Sequence, residues 1–222
     1  MLQSRHPEHD AMALMSVADA RSRILAEARP LANERVDLME CDGRVLGEAL
    51  AARRTQPPFD VSAMDGYAVR QDDVGQLPAR LEVIAEAAAG RGYDGQVGPG
   101  QAVRIFTGAP VPEGADAIVI QEDTERDGDK VIVTTGAPEP GHIRKCGIDF
   151  QAGSALLDAG RRLTPRDVTL AAAMGHDRLA VRRKPVVAIL ATGDELVLPG
   201  EPVGRDQIVC SNPFGIAAMV AR

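Results

Sequence analysis

A chain of 222 residues with 45% hydrophobic side chains can bury a sizeable core in one or two domains and does not have the composition of a disordered protein. Its net charge of −7 argues against general nucleic-acid binding, and the short basic groups Arg161-Arg162 and Arg182-Arg183-Lys184 read as solvated element ends. Cys41, Cys146 and Cys210 form neither a disulfide framework nor a CxxC metal pair, the longest apolar stretches are far too short to span a bilayer, and His6, Glu8, His9 and Asp10 stand where a signal peptide has its apolar run, so a cytoplasmic protein without membrane contact is expected.

Taken in chain order, residues 1–12 read as a flexible lead. His6 and His9 there have the helical spacing of metal ligands, but two ligands in a polar lead are too few for zinc. Ser16 then caps a helix that carries Val17, Ala20, Ile24 and Leu25 at helical spacing and ends before Pro30. Residues 45–52 suit either a second helix or an extended piece. From Arg80 onward the pattern turns to strands: Leu81, Val83 and Ala85 alternate, Val103, Arg104 and Ile105 follow suit, and residues 115–135 predict two β-branched runs around Asp127-Gly128, a hairpin signal. Asp123, Glu125, Asp127 and Gly128 imitate a calcium loop, but Thr134 stands where that loop needs a bidentate Glu and both flanks read as strands.

Residues 149–180 turn partly helical again, with Thr164 as cap, Pro165 as first helical residue, Val168, Leu170 and Met174 on the helix and Gly175 at its stop. Residues 185–191 form a continuous apolar run that predicts a strand buried on both faces of a parallel sheet. Asn212 and Pro213 predict the cap and first residue of a last helix. One strand builds no parallel sheet, so this last domain is expected to be incomplete. The fold class expected is mixed α and β, in several domains.

Residues 57–70 (PPFDVSAMDGYAVR) crowd acids, small residues and one of only two Tyr into a place where no packing pattern requires them. Ser62, Ala63 and Gly66 obstruct a ligand little, Gly66 can take φ > 0, and Asp65 beside it can aim a carboxylate into the opening to ligate a hard cation such as Mg²⁺ or orient water. The bland alternative is a tight Asp-Gly turn. Thr107-Gly108-Ala109-Pro110 ends its strand with a hydroxyl, an open glycine and a rigid proline, which suits either a binding loop or a structural strand exit. Thr192-Gly193-Asp194-Glu195 stands just past the carboxyl end of the apolar run, where open α/β sheets bind ligands; the alternative is that Asp194 caps a turn. No GxGxxG or P-loop is present, so a nucleotide-binding enzyme of unrelated chemistry loses support.

Four stretches occur together: residues 57–70, residues 104–116 (RIFTGAPVPEGAD), residues 144–149 (RKCGID), and Thr192-Gly193-Asp194-Glu195-Leu196 with Pro199-Gly200. In content, order and spacing they resemble the molybdopterin molybdenumtransferases, the MoeA type and the related domain of gephyrin. That resemblance implies a helical and linker scaffold domain from residues 1–52 and 142–180, a β-rich domain over 53–141, and the start of a three-layer α/β molybdopterin-binding domain with a parallel sheet over 181–222.

It also implies an enzyme of molybdenum cofactor biosynthesis that inserts molybdenum from molybdate into adenylated molybdopterin with Mg²⁺-dependent release of AMP, with molybdopterin adenylyltransferase as functional partner. Members of the family are homodimers whose cleft joins the β-rich domain of one subunit to the α/β domain of the other, which would set Asp65 and Thr107 opposite Glu195. The implied catalytic residues are Asp65, Thr107 and Glu195, the metal ligands Asp65 and Glu195, and the substrate-binding residues Ser62, Gly66, Arg144, Asp149, Asp194, Ser211 and Asn212. Three positions depart from the family pattern: Cys146 replaces a usual Arg, Ile148 a usual Glu and Cys210 a usual Asp. They leave room for a weakened enzyme or a binding and scaffold protein on the same fold. The family's later glycine-rich and acidic segments are not in this sequence, so residues 1–222 alone are not expected to sustain molybdenum insertion.

Overall fold

The computed structural model describes residues 15–136 and 138–221. The chain is mixed α and β and divides into two compact units, one of residues 34–181 and one of the residues up to 33 with those from 182. The expected lead over 1–12, with His6 and His9, lies outside the described residues.

Helix α1 (Val17–Ala26) starts where the sequence supplies a cap, the Asp19 N–H donating to Ser16 Oγ at 3.1 Å. The larger unit then runs through β1 (Asn33–Asp37), β2 (Leu50–Ala51), β3 (Val61–Ser62), β4 (Gly66–Val69), β5 (Ala79–Ala87), β6 (Gln101–Ile105), β7 (Ala117–Ile120), β8 (Thr124–Asp127), β9 (Lys130–Val133) and β10 (Ile143–Arg144). It closes with β11 (Ala155–Leu157), helix α2 (Pro165–Ala173) and β12 (Arg178–Arg182).

The late elements of this unit return to the early ones: β12 pairs with β1 and β11 with β2. Between them Leu46, Leu50, Phe150, Leu163, Met174 and Val181 form one buried cluster. Residues 45–52 are extended, since Val45 and Leu46 bridge to Arg162 and Val181 and Leu50 pairs with Leu157. Their backbone groups are satisfied by the returning chain, so no local helix is needed. Helix α2 opens on a capping box in which Asp167 N–H donates to Thr164 Oγ1 and Thr164 N–H donates to Asp167 Oδ2 at 2.9 Å, with Pro165 in the first turn.

The second core is a six-stranded sheet in the order β7-β4-β6-β5-β9-β8, antiparallel except for the parallel β5–β6 pair. Tyr67, Val69, Val119, Leu81, Val131 and Val133 pack on one face, and Ala68, Ala87, Val103, Ile105, Ile118 and Ile143 on the other. Both faces are covered, which is why β4 and β7 read as unbroken apolar runs where a half-exposed strand would alternate. The hairpin at Asp127-Gly128 forms, with Asp127 opposite Lys130. Residues 115–135 nevertheless give three strands where two were expected. A 3₁₀ turn over Gln121–Asp123 breaks the first run, and β7 lies beside β4 at the far edge from the hairpin.

In the smaller unit, residues 185–191 are not a strand; Val186 is 96% and Leu190 86% exposed. A strand needs neighbours for its backbone donors and acceptors, and none lies beside this run among the described residues. The parallel pairing is instead between β13 (Leu196–Val197) and β14 (Ile208–Val209). Helix α3 (Asn212–Val220) starts one residue earlier than expected, with Ser211 in the N-cap position and Asn212 as its first residue. Among the described residues no helix is long and apolar enough to cross a membrane.

Gly66 also corrects an expectation. It lies in β4 without positive φ, and what requires glycine is space: a Cβ there would meet the Val119 carbonyl oxygen of β7 at 1.9 Å. We expect Gly66→Ala to lower the unfolding free energy by about 3 kcal/mol, the upper range for overpacking. The measurement is the urea midpoint at unchanged slope. A midpoint equal to the parent's would show that β7 shifts freely and that the close approach is not a constraint.

Candidate active site

The loop from Asp60 to Gly66 is fixed by main-chain bonds to two distant segments. On one side β3 pairs antiparallel with β10, Ser62 opposite Ile143 and Val61 opposite Arg144, and Ala63 N–H donates to His142 O at 2.8 Å. On the other side Ser62 N–H donates to Ala109 O at 2.9 Å, and Gly108 N–H donates to Ser62 O at 2.8 Å. Gly108 makes that bond at φ 84, a conformation that favours glycine. Ser62 is 1% exposed, and its hydroxyl donates to Met64 O at 2.6 Å, closing the loop that carries Asp65. Gly66 is packed under β7.

Asp65 and Thr107, 42 positions apart, meet at the exposed tip. Thr107 N–H and Thr107 Oγ1 both donate to Asp65 Oδ1, each at 2.8 Å. The Thr107 backbone bond first, its hydroxyl bond second and the nearby Arg104 charge last hold the Asp65 carboxyl below the ordinary carboxylate value, against a small opposing effect of burial. The second oxygen, Oδ2, accepts no hydrogen bond from the described residues. Among those residues no three His, Cys, Asp or Glu side chains converge on a metal position. A free oxygen on one ionised carboxylate suits Mg²⁺, which keeps several waters and takes one or two carboxylates together with substrate phosphates, and does not suit a closed zinc cage.

Arg144 and Asp149 form an exposed ion pair at 2.8 Å. Beside them Lys145 Nζ donates to Asp60 Oδ2 at 2.8 Å and Cys146 N–H to Asp60 Oδ1 at 2.8 Å. The Lys145 bond first and the Cys146 N–H second hold the Asp60 carboxyl below its ordinary value. Cys146, which departs from the family pattern, thus serves this loop through its backbone, while its thiol donates to Pro58 O at 3.3 Å.

Asp194, Glu195, Ser211 and Asn212 belong to the smaller unit, and all four are exposed. Glu195 directly precedes β13 and its carbonyl accepts Ile208 N–H at 2.8 Å, whereas Ser211 and Asn212 follow β14. In this parallel pair they therefore stand at opposite ends. The carboxyl-end argument for Asp194 and Glu195 has no strand to rest on, because residues 185–191 are not one. A cleft of about 440 Å³ in this unit is apolar, lined by Ala191, Leu196, Val197, Cys210, Pro213 and Phe214 among others.

Sequence reasoning passed over three residues of the Asp65 site. Arg104 gave a signal, as the one charged residue in the strand stretch 101–106. Gln121 and Asp60 gave none, because their roles depend on bonds to residues far along the chain.

The family described as MoeA N-terminal region (domain I and II) matches residues 15–175. Similar proteins include the molybdopterin molybdenumtransferase of Nostoc sp. (strain PCC 7120), 39% identical over 96% of this chain and 51% of the relative. Those of Haemophilus influenzae and Bacillus subtilis are 35% and 39% identical over 94% and 96% of this chain and 52% and 50% of the relatives. The chain spans about half the length of the curated relatives it matches. Among solved structures, the molybdopterin biosynthesis MoeA protein of Pyrococcus horikoshii OT3 aligns with a TM-score of 0.83 at 34% identity, covering 92% of this chain and 56% of that one.

Thr107→Val removes the hydroxyl donor and keeps the backbone donor. We expect the Asp65 carboxyl, followed by NMR titration, to titrate at higher pH than in the parent yet still below its ordinary value. Because the folded-state pKa is depressed, the Thr107 bonds favour folding above the ordinary carboxylate pKa, and that contribution is lost as pH falls through the depressed value. An unshifted titration would show that the backbone N–H alone holds the carboxylate.

Proposed function

This chain belongs to the MoeA family, matched over its N-terminal region, and on that premise we propose that it acts in molybdenum cofactor biosynthesis within a molybdopterin molybdenumtransferase. The reaction is insertion of molybdenum from molybdate into adenylated molybdopterin with release of AMP. The observation that carries this reading is the Asp65–Thr107 pair: an exposed, ionised carboxylate fixed by two neutral donors, with one oxygen free, on a loop bordered by the open Gly108.

Asp65, with Glu195 contributed by a second subunit, would hold Mg²⁺, which would supply positive charge to offset that of the phosphoanhydride. Thr107 holds Asp65 in one orientation and favours its ionised form further. Arg144 and Lys145 hold the phosphates of the substrate. Each is paired with an acid at an exposed position, where an ion pair is worth about 0–1 kcal/mol, so a phosphate can take the place of Asp149 or Asp60. Asp194, Ser211 and Asn212 complete substrate binding from the α/β segment of the partner in a homodimer. The adenylated substrate comes from a molybdopterin adenylyltransferase, in the cytoplasm.

The reading is tested by molybdate-dependent release of AMP from adenylated molybdopterin, on the protein at its full encoded length. Asp65→Asn removes the charge and keeps the shape. We expect the variant to fold with a stability within about 0.5 kcal/mol of the parent and to release AMP about a hundredfold more slowly at limiting Mg²⁺. Equal rates would remove Asp65 from the chemistry. A parent that binds the substrate but releases no AMP would instead mark a binding or scaffold protein.

A further inference from the structure

We propose that Arg104 is the positioning residue of this site, a single guanidinium that locks together the three chain segments on which the Asp65 carboxylate depends. The proposal rests on the reading of Asp65 as the working carboxylate. Arg104 lies near the end of β6, its Cα opposite Tyr67 of β4, between Val103 and Ile105, which are both fully buried. A half-buried charge in such a strand is costly unless its donors are satisfied. Its two terminal nitrogens are: Nη1 donates to Gly66 O at 2.7 Å and Nη2 to Gln121 Oε1 at 2.7 Å. The guanidinium also lies over the rings of Tyr67 and Phe106, 5.2 Å and 4.5 Å from their centroids.

Three of these contacts adjoin Asp65 or a residue that bonds to it. Gly66 is the residue after it. Phe106 is the residue before Thr107, whose two donors hold Oδ1. Gln121 donates its own backbone N–H to Asp65 O at 3.1 Å. A planar, forked cation can stack and donate in two directions at once, whereas a lysine is a point charge that reaches one acceptor without a plane to stack. The arrangement therefore calls for arginine, beyond what a cross-strand cation–aromatic pair alone would require.

The test compares the parent with Arg104→Met and Arg104→Lys, reading amide hydrogen exchange by NMR without substrate and then the insertion kinetics. We expect the Thr107 and Gln121 amides to exchange about tenfold faster in Arg104→Met while amides inside β4 and β7 keep their protection. Arg104→Lys should give a smaller acceleration. The same variants should lower kcat by about tenfold, with KM for the adenylated substrate within about twofold, since a displaced Asp65 weakens the reacting geometry more than ground-state binding. Unaltered exchange at Thr107 and Gln121 overturns the proposal, and so does a uniform acceleration across the sheet, which would make Arg104 a purely structural residue. If Arg104→Met does not fold, Gln121→Leu, which cuts the Nη2 arm at an exposed position, decides by the same Thr107 readout. Local loosening in a parent that releases no AMP would leave the positioning role standing and overturn the enzymatic reading instead.

Discussion

An exposed carboxylate is ionised at neutral pH without help, but it is held in one place with its charge uncompensated only if its fixed partners are neutral donors. In this chain that condition is met by the two bonds from Thr107 to Asp65 Oδ1. Much of the local architecture serves to keep those bonds short. The Asp60 to Gly66 loop is stitched to residues 108–111 on one side and residues 142–146 on the other. Gly66 lets β4 lie close enough to β7 for Gln121 to reach the Asp65 carbonyl.

The two cores of the larger unit explain how such distant segments meet. The chain leaves the first core near Ala52, builds the sheet, and re-enters the first core at Phe150. Outgoing and returning segments run side by side, with Gln56 bridged to Phe150 and Gly147 N–H donating to Pro57 O at 2.9 Å. That double passage brings Lys145 to Asp60 across 85 positions. The entropy of closing so long a loop grows only with the logarithm of its length, and the buried sheet offsets it.

What the sequence revealed and what it hid divide along one physical line. Local chemistry was legible: Ser16 and Thr164 cap the helices they were expected to cap, Asp127-Gly128 turns a hairpin, and the small-residue loop around Asp65 does meet the threonine after β6. Long-range geometry was not. Gly66 reads as a turn residue because glycine is commonest there, yet its need is set by a carbonyl on a strand more than fifty residues later. Residues 185–191 read as a buried strand because apolar β-branched runs usually are, but burial depends on neighbours that a pattern of period and composition does not supply. Arg104 was passed over although it is the one charge in its strand stretch, and only its acceptors, Gly66 in β4 and Gln121 after β7, reveal its connection to Asp65.

The charges around the loop show a division of labour. Asp60 faces Lys145 and Asp149 faces Arg144, so each acid is neutralised by a cation of its own and leaves little net field. Asp65 is treated differently. Its close partners are an amide and a hydroxyl, which stabilise the ionised form without cancelling its charge, and the nearby cation, Arg104, spends its own donors on a carbonyl and an amide oxygen. Full negative charge therefore remains on a carboxylate with one oxygen open to solvent, while Arg144 and Lys145 sit in exposed pairings of little net strength. The neutral donors of Thr107 thus fix the carboxylate while leaving its charge uncompensated, and it is on this arrangement, more than on the presence of an acid, that the proposed Mg²⁺ site rests.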